Sequence, residues 1–169
     1  MSQPDSLPPL ILTLRMDKNS QDYFNMLRKE YFPPERNYLD AHLTLFHHLQ
    51  DDEQTIRAIK SIRNEIFDMQ TSGLKFLGAG VAYSIESPDL RRIRSQIAEA
   101  LQDQLIPQDK QGYRPHITIQ NKVSVEEART LFAALKAAFH PTTITTYGLD
   151  LWQYLGGPWR HHSYFPFST

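Results

Sequence analysis

A short strand pattern that occurs twice constrains this chain more than any other feature. Ala41-His42-Leu43-Thr44-Leu45-Phe46 and Pro115-His116-Ile117-Thr118-Ile119 both set a His-x-Thr element among hydrophobic residues. Side chains on a strand alternate faces, so His42 and Thr44 project together while Leu43 and Leu45 turn to the core. In the second copy Pro115, Ile117 and Ile119 share one parity, and Arg114, His116, Thr118, Gln120 and Lys122 share the other. That polar front carries two cations, an imidazole, a hydroxyl and an amide, a set suited to an anion. One His-x-Thr arises often by chance. Two in equivalent settings point to a shared role.

The surrounding pattern alternates strands and helices, which indicates an α/β (α+β) chain. Leu10 to Met16 reads as a strand, Gln21 to Tyr31 as a helix stopped by Pro33-Pro34, and Ala41 to Leu49 as a strand. From Asp52 to Met69 the residues Ile56, Ile59, Ile62, Ile66 and Met69 recur at helical intervals and predict one long helix. Leu74 to Ile85 is rich in strand formers. Ser87-Pro88 then opens a helix carrying Leu90, Ile93, Ile97, Leu101 and Leu105. A second cycle follows: a strand over Tyr113 to Asn121, then Ser124 and Glu127 as a capping box before Val125, Ala128, Leu131, Leu135 and Phe139. Strands are expected at Thr142 to Tyr154 and Ser163 to Phe167, with a turn at Gly156-Gly157-Pro158. No linker or low-complexity tract divides the chain, so residues 1–169 are expected to form one two-lobed domain with approximate repeats over 8–86 and 87–169.

Composition narrows the function. With 169 residues and 40% hydrophobic content the chain can bury one substantial core. A formal net charge of -1 argues against a broad grip on duplex DNA, which needs a basic face, but leaves a nucleotide or RNA terminus open as a partner. The chain has no cysteine, which excludes thiolate metal sites and a cysteine nucleophile and fits a cytoplasmic place. Met1-Ser2-Gln3-Pro4-Asp5 lacks a basic leader, and the apolar run from Leu7 to Leu14, interrupted by Pro8 and Pro9, is too short to span a membrane.

Paired imidazoles suit displacement at phosphorus. One acts as base toward the attacking water and the other as acid toward the leaving oxygen, and an ordinary pKa of about 6.5 makes both forms accessible near neutrality. Hydroxyls two residues away can hold the non-bridging oxygens. This scheme needs no metal or other cofactor.

With "AHLTLFHHL" at the first motif, "RPHITIQNK" at the second and "LWQYLGGPWRHHSYFPF" near the end, the chain resembles the 2H phosphoesterase superfamily, particularly its bacterial branch named for 2′-5′ RNA ligase. The resemblance covers nearly the whole chain. It implies a bilobal fold whose pseudo-symmetric lobes line a central cleft with antiparallel sheets, helices outside, and activity on 2′,3′-cyclic phosphates or 2′-5′ linkages, with reverse ligation permitted by microscopic reversibility. It places catalysis on His42 and His116 and phosphate contacts on Thr44 and Thr118. It also favours His42 as acid and His116 as base, although a pseudo-symmetric cleft lets the two exchange. The competing class is a module that binds a nucleotide or RNA end without turning it over, which needs cationic and aromatic contacts more than matched imidazoles.

Other residues carry weaker signals. Arg114 and Lys122 share the polar front and are candidates for substrate charge. Trp152 and Tyr154 share a parity and are candidates to stack on a base, with packing as the competing role. Tyr83 lies on a strand whose facing is not anchored by the pattern. His47, His48, His161 and His162 do not suggest a metal cluster with His42, because no acidic partner has ligand spacing and adjacent histidines on a strand point to opposite faces. With both motifs on one chain, a monomer is expected.

Overall fold

The computed structural model describes residues 6–169, so the reading of Met1 to Asp5 lies outside the described residues. Strand β1 (Leu10–Met16) leads into α1 (Lys18–Tyr31), β2 (Thr44–Leu49), α2 (Glu53–Lys60) and β3 (Phe67–Phe76). Then come β4 (Val81–Glu86), α3 (Pro88–Ala100), a single turn α4 (Pro107–Lys110), β5 (His116–Gln120), α5 (Val125–Ala137), β6 (Thr143–Tyr154) and β7 (Trp159–Pro166). The helix starts follow local chemistry. Side chains of Asp17, Asp52, Ser87 and Ser124 each accept the backbone N–H three residues on, a cap worth about 1 kcal/mol.

Three expectations are corrected. The helix from Asp52 ends at Lys60, because Ser61 takes the cap position and Phe67 to Thr71 enter a strand. Met69 and Thr71 are buried there while Asp68 and Gln70 are exposed, so Met69 follows a period of two rather than a helical stripe. Leu74 to Ile85 is a hairpin and not one strand: Gly78 adopts φ +83°, and the Leu77 N–H donates to the Gly80 carbonyl at 2.9 Å. The last strand starts at Trp159 and not at Ser163, pairing Trp159 with Tyr154 across the Gly156 turn.

The hairpin moves the repeat boundary. The elements run strand-helix-strand-helix-strand twice, with β1 to β3 as one set and β4 to β6 as the other, so the second set opens at Val81 rather than Ser87. All strand pairs are antiparallel, in the order β2-β1-β6-β3-β4-β5 with β7 added beside β6. This order is a palindrome of the two sets, and the last strand of each set is exchanged into the other. The motif strands β2 and β5 stand at opposite ends of the sheet. The sheet curls until those ends meet, and Leu43 bridges to Ile117 in antiparallel fashion.

Helices cover the convex side. Leu10, Leu12, Leu43, Leu45, Ile117 and Ile119 point outward to meet Phe24 of α1 and Leu90, Ile93 and Ile97 of α3, all at most 1% exposed. Each such side chain contributes roughly 1.5–3 kcal/mol on burial. Tyr83 belongs to this layer, edge-on to Phe24 and near Phe139, and so faces away from the cleft. No helix among the described residues is long and apolar enough to cross a membrane.

Candidate active site

Two buried arginines tie each helix to the opposite motif. Arg28 of α1 donates to the Thr118 carbonyl on β5 at 3.1 Å, and Arg94 of α3 donates to the Leu45 carbonyl on β2 at 3.0 Å. Arg94 also lies over the Phe46 ring, 4.1 Å from its centroid. Gln21 and Asn25 of α1 grip the backbone of Ala41 at 2.7 and 2.8 Å, which fixes the approach to His42. Tyr113 caps the other side, its hydroxyl donating to the Thr44 carbonyl at 3.0 Å. Burial pushes that hydroxyl above the ordinary tyrosine range, so it stays a donor.

A cleft of about 700 Å³ opens on the concave side, with His42, Thr44, His116 and Thr118 in its lining together with Arg114. The histidines are oriented alike. His42 Nδ1–H donates to the Asp40 carbonyl at 2.8 Å, and His116 Nδ1–H donates to the Arg114 carbonyl at 2.9 Å, each two residues back. A carbonyl only accepts, so this bond fixes the tautomer and leaves Nε2 of both rings for the cleft. Matched geometry follows from matched local sequence.

The environment lowers both imidazole pKa values. His42 falls to about 4, first through desolvation, with the Asp40 carbonyl opposing and Arg28, His47 and His116 adding to the fall. Trp159 contributes to the shielding, with its ring 4.6 Å from the imidazole. His116 is lowered by desolvation, opposed by the Arg114 carbonyl and assisted by Lys75 and His47.

The remaining candidates fall elsewhere. Lys122 follows the end of β5 at φ 64°, is exposed, and lies outside the cleft lining. Alternation fails before it: β4 and β5 slip register between Val81/Gln120 and Ala82/Thr118, so Ile119 and Gln120 are both buried. Trp152 lines an adjoining cavity of about 530 Å³, which shares His42 and Trp159 with the cleft, and its indole N–H donates to Thr13 Oγ1 at 2.8 Å. Tyr154 is exposed at the end of β6 and lines neither cavity.

The four further histidines are dispersed. His47 Nδ1–H donates to Asp109 at 3.0 Å, His161 Nε2 pairs with Asp150 at 2.8 Å, and His162 lies 3.5 Å from Asp51. His47 and His48 are both exposed, against the expectation of opposite faces, because β2 is bulged. Among the described residues, no three His, Asp or Glu converge as a metal site. Lys75, Arg94, Asp109, Gln111, Tyr113 and Trp159 also line the cleft and escaped the sequence reading. The turn ahead of Trp159 was the one available signal, since a hairpin after Tyr154 places the next residue opposite it.

No curated protein sequence matches the chain. Among solved structures it is similar to E. coli LigT complexed with 3′-AMP, at 14% identity and TM-score 0.65 over 96% of this chain and 99% of that one. A crystal structure of a phosphoesterase matches at 16% identity and TM-score 0.65, again over 96% and 99%. The protein TT0787 of Thermus thermophilus matches at 12% identity and TM-score 0.67 over 94% and 97%. At such identities the likeness speaks for the fold. The family model of the 2′-5′ RNA ligase superfamily matches residues 16–158, which spans both His-x-Thr elements, and the chain belongs to that superfamily.

Proposed function

We propose that this protein is a metal-independent phosphodiesterase that opens 2′,3′-cyclic phosphates, or cleaves 2′-5′ linkages, at a nucleotide or RNA terminus. The carrying observation is the pair of imidazoles with identical Nδ1 tethers and free Nε2 atoms in one cleft. One ring removes a proton from water as it attacks phosphorus. The other protonates the departing ribose oxygen on the far side. Thr44 and Thr118 donate to the non-bridging oxygens and hold the phosphate for in-line displacement. With a ribose 5′-hydroxyl in place of water, the same pair forms a bond from that oxygen to phosphorus and breaks the bond to the 3′-oxygen, which takes the proton, leaving a 2′-5′ linkage; the reverse of that step cleaves the linkage and closes the ring. Nucleotide ligands in LigT support a nucleotide as the occupant. Both motifs stand on one chain, so a monomer suffices, and the lack of cysteine fits the cytoplasm.

The direct test is to follow ring opening of 2′,3′-cyclic nucleotides in excess EDTA and to identify the product. Unchanged turnover with a single monophosphate product supports the reading. Activity restored only by added divalent metal would sink it, and binding without turnover would identify a nucleotide-binding module.

The pKa shifts make a second prediction. The base must be neutral and the acid protonated, so activity rises through the lower pKa and falls through the upper one. In the free enzyme both lie below 6.5, with His42 at about 4. The profile of kcat/KM should therefore peak on the acid side of pH 6.5 and decline through neutrality. A bound phosphate anion stabilises each imidazolium, so the kcat profile should sit at higher pH. A kcat/KM optimum above pH 7 would contradict this account.

A further inference from the structure

Beyond their threonines the two motif strands part ways. Both are bulged one residue on: the register passes from Thr13/Thr44 to Leu12/Phe46 on β2, and from Ala82/Thr118 to Val81/Gln120 on β5. Each bulge buries two successive residues and returns the next to the cleft side. On β5 that next residue is Asn121, whose side chain accepts the Lys122 N–H at 2.9 Å and does not line the cleft. On β2 it is His47, which does.

A second slip, between Leu12/Phe46 and Leu10/Leu49, turns the backbone N–H groups of His47 and His48 toward Asp109. Asp109 accepts them at 3.0 and 3.1 Å and takes the His47 Nδ1–H at 3.0 Å. Its carboxylate is 1% exposed, and Arg94 holds its backbone carbonyl. Burial alone would raise its pKa, but the His47 side chain and the two backbone donors draw it below the ordinary range, so it stays ionised near neutrality. Occupied by protein donors, Asp109 is not available to a ligand. It orients His47, leaving Nε2 toward the cleft.

The cleft then holds more positive capacity than one phosphodiester needs. Thr44, Thr118 and the catalytic imidazoles serve the reacting phosphate, the Arg94 guanidinium is committed to the Leu45 and Asp109 carbonyls, and Lys75, Arg114 and His47 remain. We propose that His47, set by the bulge and by Asp109, takes up a proton on Nε2 as the anion binds and so donates to a second phosphate of the substrate together with Arg114. The protein thereby favours RNA ends and nucleoside bisphosphates over lone cyclic mononucleotides. This inference rests on the proposed function, in that the reacting phosphate occupies the His42/His116 end of the cleft.

Its test is binding, kept separate from turnover. Calorimetric titration of wild type and His47→Gln with adenosine 2′-monophosphate and adenosine 2′,5′-bisphosphate compares one phosphate with two. Wild type should hold the bisphosphate about tenfold more tightly, the scale of one hydrogen bond to a charged group. His47→Gln should lose most of that preference and keep its monophosphate affinity within about twofold. Equal affinities in wild type, or equal losses for both ligands in the variant, overturn the proposal, and the wild-type comparison decides even if the variant folds poorly. Cyclic-phosphate opening is measured in parallel. If the bisphosphate preference depends on His47 but no ring opening occurs, the second-phosphate site stands and the catalytic reading falls.

Discussion

His42→Ala and His116→Ala are each expected to lower kcat for cyclic-phosphate opening by about 10²- to 10⁴-fold, the range for loss of a positioned general acid or base. Ligand affinity should change far less, because Thr44, Thr118, Arg114 and Lys75 stay in the cleft. The double variant should be little worse than either single one, since acid and base act on one transition state and the first loss already disables the concerted transfer. Single-turnover rates with calorimetric binding separate these effects. A fall in affinity with kcat intact would show that the imidazoles bind rather than catalyse. Each ring is tied to a carbonyl two residues back and His42 adds only its contact with the half-buried Trp159 ring, so thermal stability should change little and the kinetic loss can be read as chemistry.

The sequence revealed the alternating strands and the capped helices because those depend on local periods and short-range hydrogen bonds. His42, Thr44, His116 and Thr118 came out together because strand parity needs only two or three residues to be right. Parity carried further misled. One inserted residue after Thr44 and another after Thr118 shift every later side chain, and nothing in Leu45-Phe46 or Ile119-Gln120 advertises a bulge. Lys122 was therefore placed on a front it does not join, while His47 went unrecognised on one it does. Asp109 was equally hidden. Its partners are 61 and 62 residues away in sequence, and only the docking of α4 on β2 brings them together. The long helix drawn through Met69 failed because Ile62 and Ile66 do pack on the core, so a helical spacing of apolar residues continued across a turn and into a strand.

Gly80→Ala tests that long-range geometry from behind the site. A Cβ at Gly80 would collide with the Gln120 carbonyl oxygen and stand 2.7 Å from the Asn121 Cα, both backbone atoms that no rotamer change can move. Gln120 is the residue returned to β4 by the bulge after Thr118, so the methyl group forces β5 away from β4 two residues from the Thr118 hydroxyl. The expected cost is roughly 3 kcal/mol, near the upper end for overpacking, which in a chain of this length lowers Tm by roughly 10 °C. Below that transition kcat/KM should still fall by about 10²-fold if Thr118 moves by an ångström. Gly73→Ala is the matched control, with nothing within 4 Å of its added Cβ and a strand backbone that alanine adopts freely. It should leave Tm unchanged or raise it slightly, by about 0.5 kcal/mol of stability, because alanine loses less backbone freedom on folding. Calorimetric melting of the pair decides the matter. A Gly80→Ala protein as stable and active as the Gly73→Ala control would mean that β4 and β5 do not pack at this turn as described, and the bulge that sets Thr118 would lose its support.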